Sequence, residues 1–96
     1  MDARLVLWEK TRLQNRFVLE MKIYAVPRSR KYPLGVRYSL IFVDPKSSAK
    51  ILMDNHYPKG PHIHINDAEL EYAFLDEEKL VQDFKSLVLE HMGVKL

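Results

Sequence analysis

The chain has no cysteine. Disulfides, thiolate metal sites and a thiol nucleophile are therefore excluded, and the composition suits a reducing compartment such as the cytoplasm. No apolar run reaches the roughly 18 residues that a membrane-spanning helix needs. Glu9 follows the first residues too soon for a secretory leader, so a cytoplasmic location is expected. Glycine is scarce, at 3 residues, and the glycine-rich phosphate loops are missing, as are the His-Glu-x-x-His and Gly-x-Ser-x-Gly signatures. The serines have no nucleophile context. The excess of positive charge is only +2, too weak by itself to argue for nucleic-acid binding. No repeat, low-complexity stretch or linker divides the chain. Residues 1–96 thus read as one domain, large enough to bury roughly two-thirds of its unfolded surface around a single thin core.

Period-two alternation dominates the first part of the chain. Leu5 to Glu9 is β-prone, and Gln14 and Asn15 suit a turn. From Arg16 to Val26 the apolar residues Phe17, Leu19, Met21, Ile23 and Ala25 alternate with Arg16, Glu20, Lys22 and Tyr24, the pattern of a half-buried strand. Pro27 ends it, and Arg28 to Gly35 reads as a loop. Val36 to Asp44 forms the next strand, with Val36, Tyr38, Leu40 and Phe42 on one face. A hairpin loop from Asp44 to Ser48 leads to a return strand from Ala49 to His56. Glu69 to Leu75 alternates again, with Leu70, Tyr72 and Phe74 opposed to Glu69, Glu71 and Ala73.

The end of the chain changes period. Asp76 is a suitable N-cap, and Glu77 and Glu78 suit the positive end of a helix dipole. Leu75 is placed to meet Leu80 as a hydrophobic staple. Leu80, Val81, Phe84, Leu87 and Val88 recur at helical spacing, and Gly93 is a natural stop. The expected fold class is α+β: an antiparallel meander of four to five strands with one C-terminal amphipathic helix packed on one face. One helix cannot cover both faces of a sheet. Val6, Trp8, Val18, Tyr24, Ile41, Val43 and Leu52 are expected on the uncovered side, where a second subunit or another partner would shield part of them.

The densest chemistry lies between Asp54 and His64. This stretch holds Asp54, Asn55, His56, Lys59, His62 and His64 around the backbone break at Gly60 and Pro61. In an extended segment His62 and His64 point to the same side, roughly 6.5–7 Å apart at the backbone. Asp54 and His56 share a face in the same way, and the two pairs converge if the intervening loop folds back. Three chemistries fit. In metal-free RNA cleavage, His62 and His64 exchange protons, Lys59 holds phosphate, Asp54 orients a histidine and Asn55 donates a hydrogen bond. Arg28, Arg30, Lys31 and Arg37 would then track the RNA backbone, and Tyr32 and Tyr57 would stack on bases. In a divalent metal site, His62, His64 and Asp54 are the ligands. In a structural role, the cluster only hydrogen-bonds its own loop. The plain reading of the basic loop is a solvated charged turn. His91 suits the end of the helix dipole and is assigned no function.

The same residues carry a family likeness. The run from Tyr38 to Asp44, then Asp54 and Asn55, then Lys59-Gly60-Pro61-His62-x-His64, Tyr72-x-Phe74, Leu80 and Asp83-Phe84 resembles the TumE family. These small proteins are regarded as toxins of type II toxin–antitoxin pairs. The likeness extends from Leu5 to about Val88. Gln14-Asn15 stands where members often have an acidic or glycine-containing turn, and Ile65-Asn66-Asp67 where they tend to have Gly-Asp. The resemblance implies a cytoplasmic toxin that binds a helix-turn-helix antitoxin encoded nearby. Many toxins of this size act on messenger RNA or the ribosome, which by analogy makes RNA the expected target. The resulting expectation is a toxin component acting as a metal-independent ribonuclease without a cofactor. The alternative is a non-enzymatic interaction module, in either case with a homodimer to be considered.

Overall fold

The computed structural model describes residues 3–96. It contains β1 (Arg4–Leu13), β2 (Phe17–Ala25), β3 (Val36–Val43), β4 (Lys50–Asp54), β5 (His62–Ile65), β6 (Ala68–Glu71) and α1 (Glu77–Met92). The strands form one antiparallel meander in the order β1-β2-β3-β4-β5-β6. The α+β class and the single C-terminal helix agree with the sequence reading. The sheet has six strands rather than four to five, because the histidine stretch is itself a strand. It pairs with β4 on one side and β6 on the other.

Alternation decides the two faces. Leu19, Met21 and Ile23 of β2, Tyr38, Leu40 and Phe42 of β3, and Ile51 and Met53 of β4 are buried on one side, together with Leu80, Phe84 and Val88 of α1. Asp76 caps the helix as expected, accepting a hydrogen bond from the Lys79 amide at 2.7 Å. Gly93 ends it at φ 69°, where its amide bonds the Leu89 carbonyl. Side chains at this left-handed angle favour glycine, which has no Cβ to clash. Leu75 is 71% exposed, so the expected staple to Leu80 does not bury it. The expected strand from Glu69 to Leu75 is also shorter. After Glu71 the chain leaves the sheet, Phe74 stacks on Tyr38 with centroids 5.5 Å apart, and the Tyr72 hydroxyl donates to Asp83 Oδ2 at 2.6 Å.

The turns explain the register. Gln14 and Asn15 adopt φ of 53° and 52° between β1 and β2. Asn66, at φ 54°, turns β5 into β6, and its side-chain carbonyl accepts from the Lys50 amide at 3.0 Å. The buried Asp44 carboxylate takes two bonds from the Arg16 guanidinium, at 3.1 and 2.6 Å. It also accepts from the Lys46 amide and the Ser47 hydroxyl. One carboxylate thereby ties the β1–β2 turn to the β3–β4 turn. The Arg16 bond holds its pKa well below the ordinary 3.8, with Ser47 and Lys46 adding to the effect against the opposing effect of burial.

The helix leaves the opposite face of the sheet uncovered. Register places Trp8, Val18, Tyr24, Ile41, Val43 and Leu52 there, as expected from their alternation. Val6 falls at the irregularity between Leu5 and Leu7 in the β1–β2 ladder. Trp8 is 57% exposed and Val6 51% exposed, whereas Val18, Ile41, Val43 and Leu52 are half-buried.

Candidate functional site

The histidine cluster sits on the uncovered face. One row of directly paired residues crosses the sheet from Trp8 through Lys22, Ser39, Asp54 and His62 to Glu71. The adjacent row runs from Lys10 through Glu20, Ile41, Leu52 and His64 to Glu69. Asp54 and His62 thus face each other across β4 and β5, and the loop between the strands does fold back. Side chains opposed in this way have Cβ atoms about 5 Å apart, close enough for their polar tips to meet.

His62 is buried, with a polar group beside each ring nitrogen. Its Nδ1 lies 2.8 Å from the Gly60 carbonyl oxygen. Its Nε2 lies 3.4 Å from Asp54 Oδ1. A carbonyl oxygen only accepts, so Nδ1 carries the hydrogen. Gly60 adopts φ 76°, a left-handed turn that aims this carbonyl back at the ring. The His64 ring meets His62 edge-on, with centroids 4.7 Å apart and planes at 80°. Asp54 is also buried and accepts from the His56 amide at 3.3 Å. The structure therefore unites Asp54, His62 and His64 in one oriented group.

The other sequence candidates divide. Lys59 is turned to Glu69, bonding both carboxylate oxygens at 3.0 and 2.9 Å, so its charge is already matched. That bond also lowers the Glu69 pKa, more than desolvation raises it, with smaller contributions from His64 and His62. Asn55 finishes the β3 ladder where β4 has ended: its carbonyl accepts from the Tyr38 amide and its amide donates to the Val36 carbonyl, both at 2.9 Å. Both ends of its side chain are thus engaged inside the fold. His56 is exposed and lines a separate groove of about 330 Å³ with Lys22, Tyr24, Arg37 and Ser39. Arg37 stacks over Tyr24 there, 5.3 Å from the ring centroid.

Arg28, Arg30 and Lys31 are exposed on the loop between β2 and β3. Lys31 reaches Tyr57, with Nζ 5.4 Å from its ring centroid, which brings this loop against the one that carries Lys59. His91 lies 3.1 Å from Glu90 on the last helical turn, away from the cluster in sequence and on the other layer.

Glu69 is the residue that sequence reasoning missed. It pairs directly with His64. The His62, His64 and Glu69 ligand atoms all lie within 4.8 Å of one another. This is the metal-compatible trio among the described residues, in place of the expected set of His62, His64 and Asp54. The available signal was the Asn66-Asp67 turn: a two-residue connection between His62–Ile65 and Ala68–Glu71 sets His64 opposite Glu69. No protein-family model, curated protein or solved structure matches the chain. No helix among the described residues is long and apolar enough to cross a membrane.

Proposed function

We propose that this protein is a toxin-like component that acts on RNA through its uncovered sheet face, as a metal-independent ribonuclease. The observation that carries the reading is His62 fixed at Nδ1 by the Gly60 carbonyl, with its Nε2 beside the Asp54 carboxylate and His64 in edge contact. Acid–base cleavage needs two such groups. One takes the proton of the 2′-hydroxyl as that oxygen attacks phosphorus; the other gives a proton to the departing 5′-oxygen. The more exposed His64 is the one that reaches substrate first, and Asp54 orients His62. Arg37 and Lys22 in the adjoining groove supply cations for the phosphate backbone, with His56 beside them as a hydrogen-bonding group. The basic loop at Arg28, Arg30 and Lys31 extends that path, and Tyr57 and Tyr32 supply stacking surfaces. By its resemblance to the TumE family, the protein would work in the cytoplasm beside a helix-turn-helix antitoxin, which would cover part of the apolar sheet face.

A second reading is favoured by the internal bonds of Asn55, Lys59 and Tyr72. With these polar groups used inside the chain, the protein would be a non-enzymatic interaction module, and its histidine cluster would only support the fold. Inducible expression in a bacterium separates the two. Growth and total RNA are followed for wild type beside the His62→Ala/His64→Ala double variant. Growth arrest with RNA fragmentation in wild type alone supports the ribonuclease. Equal arrest in both, or none in either, overturns it.

A further inference from the structure

Two ring nitrogens and a carboxylate from neighbouring strands converge on one point of the uncovered sheet face. His62 and His64 are successive same-face residues of β5, and Glu69 is the direct partner of His64 on β6. Their ligand atoms lie within 4.8 Å of one another. Tetrahedral zinc, with bonds of about 2.0–2.1 Å, would draw such atoms to about 3.4 Å. Glu69 is exposed and His64 half-buried, so side-chain rotation can close the difference without moving the sheet.

The stationary member is His62, and its hydrogen bonding is that of a metal ligand. With the hydrogen on Nδ1 directed to the Gly60 carbonyl, Nε2 is the nitrogen left to take an ion. A backbone carbonyl holding the far nitrogen in this way is the usual support of a ligating histidine. Asp54 Oδ1, 3.4 Å from that Nε2, is also an acceptor. A cation beside Nε2 would also meet this carboxylate. We propose that His62, His64 and Glu69 bind a divalent transition metal of the zinc, cobalt or nickel class, with Asp54 adding negative charge next to it. Imidazole and carboxylate donors suit these ions. Solvent reaches the fourth position, since the helix covers the other face.

Lys59 competes for this site. Its ammonium bonds both oxygens of Glu69 and must leave when the ion arrives, which costs little for an exposed pair. The inference goes beyond the proposed ribonuclease and constrains it. An ion on both imidazoles leaves neither free to move a proton, so a loaded protein is an inhibited one.

The test is titration of the metal-stripped full chain with Co(II), read by its visible absorption, and with Zn(II) by calorimetry. Wild type is expected to bind about one ion per chain. Glu69→Gln and His64→Ala are expected to weaken binding by about tenfold or more, Lys59→Met to tighten it, and His91→Ala to leave it unchanged. Glu69 is exposed, so the Glu69→Gln variant reports on the site even where a histidine variant unfolds. No binding by folded wild type, or wild-type affinity in both Glu69→Gln and His64→Ala, overturns the proposal. Since the readout is the ion itself, a chain that binds Co(II) but cuts no RNA in its metal-stripped form overturns the ribonuclease reading alone.

Discussion

Asp54 and His62 are opposed across the β4–β5 ladder, and their side chains meet at 3.4 Å on the uncovered face. Both are buried. A carboxylate in that position orients the ring more firmly than the neutral amide that would replace it. Asp54→Asn is therefore expected to reduce RNA cleavage by about ten- to a hundredfold, the usual effect of losing a partner that positions an imidazole. His64→Ala is expected to cost about 10²–10⁴-fold. Cleavage of a defined RNA by chelator-treated protein, with folding followed by circular dichroism, checks both. Wild-type rates in both variants would remove Asp54 and His64 from the chemistry.

The Arg16–Asp44 pair makes stability depend on acid. Asp44 ionises below its ordinary 3.8 in the folded chain. The unfolded chain therefore binds more protons than the folded one as pH drops past about 4. The stabilisation is present above that pH and is lost progressively below it. Arg16→Met is expected to lower the melting temperature at pH 7 and to flatten its fall between about pH 5 and pH 2. Thermal melts across that range test this, and parallel curves for the two proteins would exclude the pair as the source.

Asn55 is expected to matter for folding rather than for RNA. Asn55→Ala leaves the Tyr38 amide and the Val36 carbonyl without their side-chain partner. The loss is expected to be about 1–3 kcal/mol, measured as a shift in the urea midpoint at constant slope. A cleavage defect in a variant of unchanged stability would return Asn55 to the binding surface.

Tyr72 anchors the segment after β6 to the helix. Its hydroxyl bonds Asp83, and Lys79 holds the other oxygen of the same carboxylate at 2.7 Å. Burial, with the Asp83 bond behind it, pushes the Tyr72 hydroxyl well above its ordinary pKa. Tyr72→Phe is expected to cost about 1.5–3 kcal/mol, as for a hydrogen bond to a charged group. A double-mutant cycle with Asp83→Asn should assign most of that loss to the pair.

The elements that were legible in the sequence are those whose signals are local. Asp76 and Gly93 bracket the helix because a cap needs only its own neighbours. β2 and β3 are long enough for alternation to declare itself. β5 and β6 have four residues each, too few for a period to stand out, so the extended segment at His62 and His64 does not declare itself as a separate strand. Alternation also runs past the end of the strand: the ladder stops at Glu71, while Tyr72 and Phe74 still pack against the core. Their spacing continues that of Leu70, and off the sheet their side chains reach Asp83 and Tyr38.

The amino-acid order alone determined the layers: which residues face the helix, where the helix begins and ends, and that Asp54, His56, Lys59, His62 and His64 crowd one turn. These follow from side-chain period and backbone geometry, which act over a few residues. Only the tertiary structure decided which of them meet. Register across three strands put Asp54 against His62 and Glu69 against His64, turned Lys59 to Glu69, and sent His56 to a different groove with Arg37. Pairing between strands depends on turn geometry and on burial of the whole sheet at once, so it could not be read from the site residues themselves.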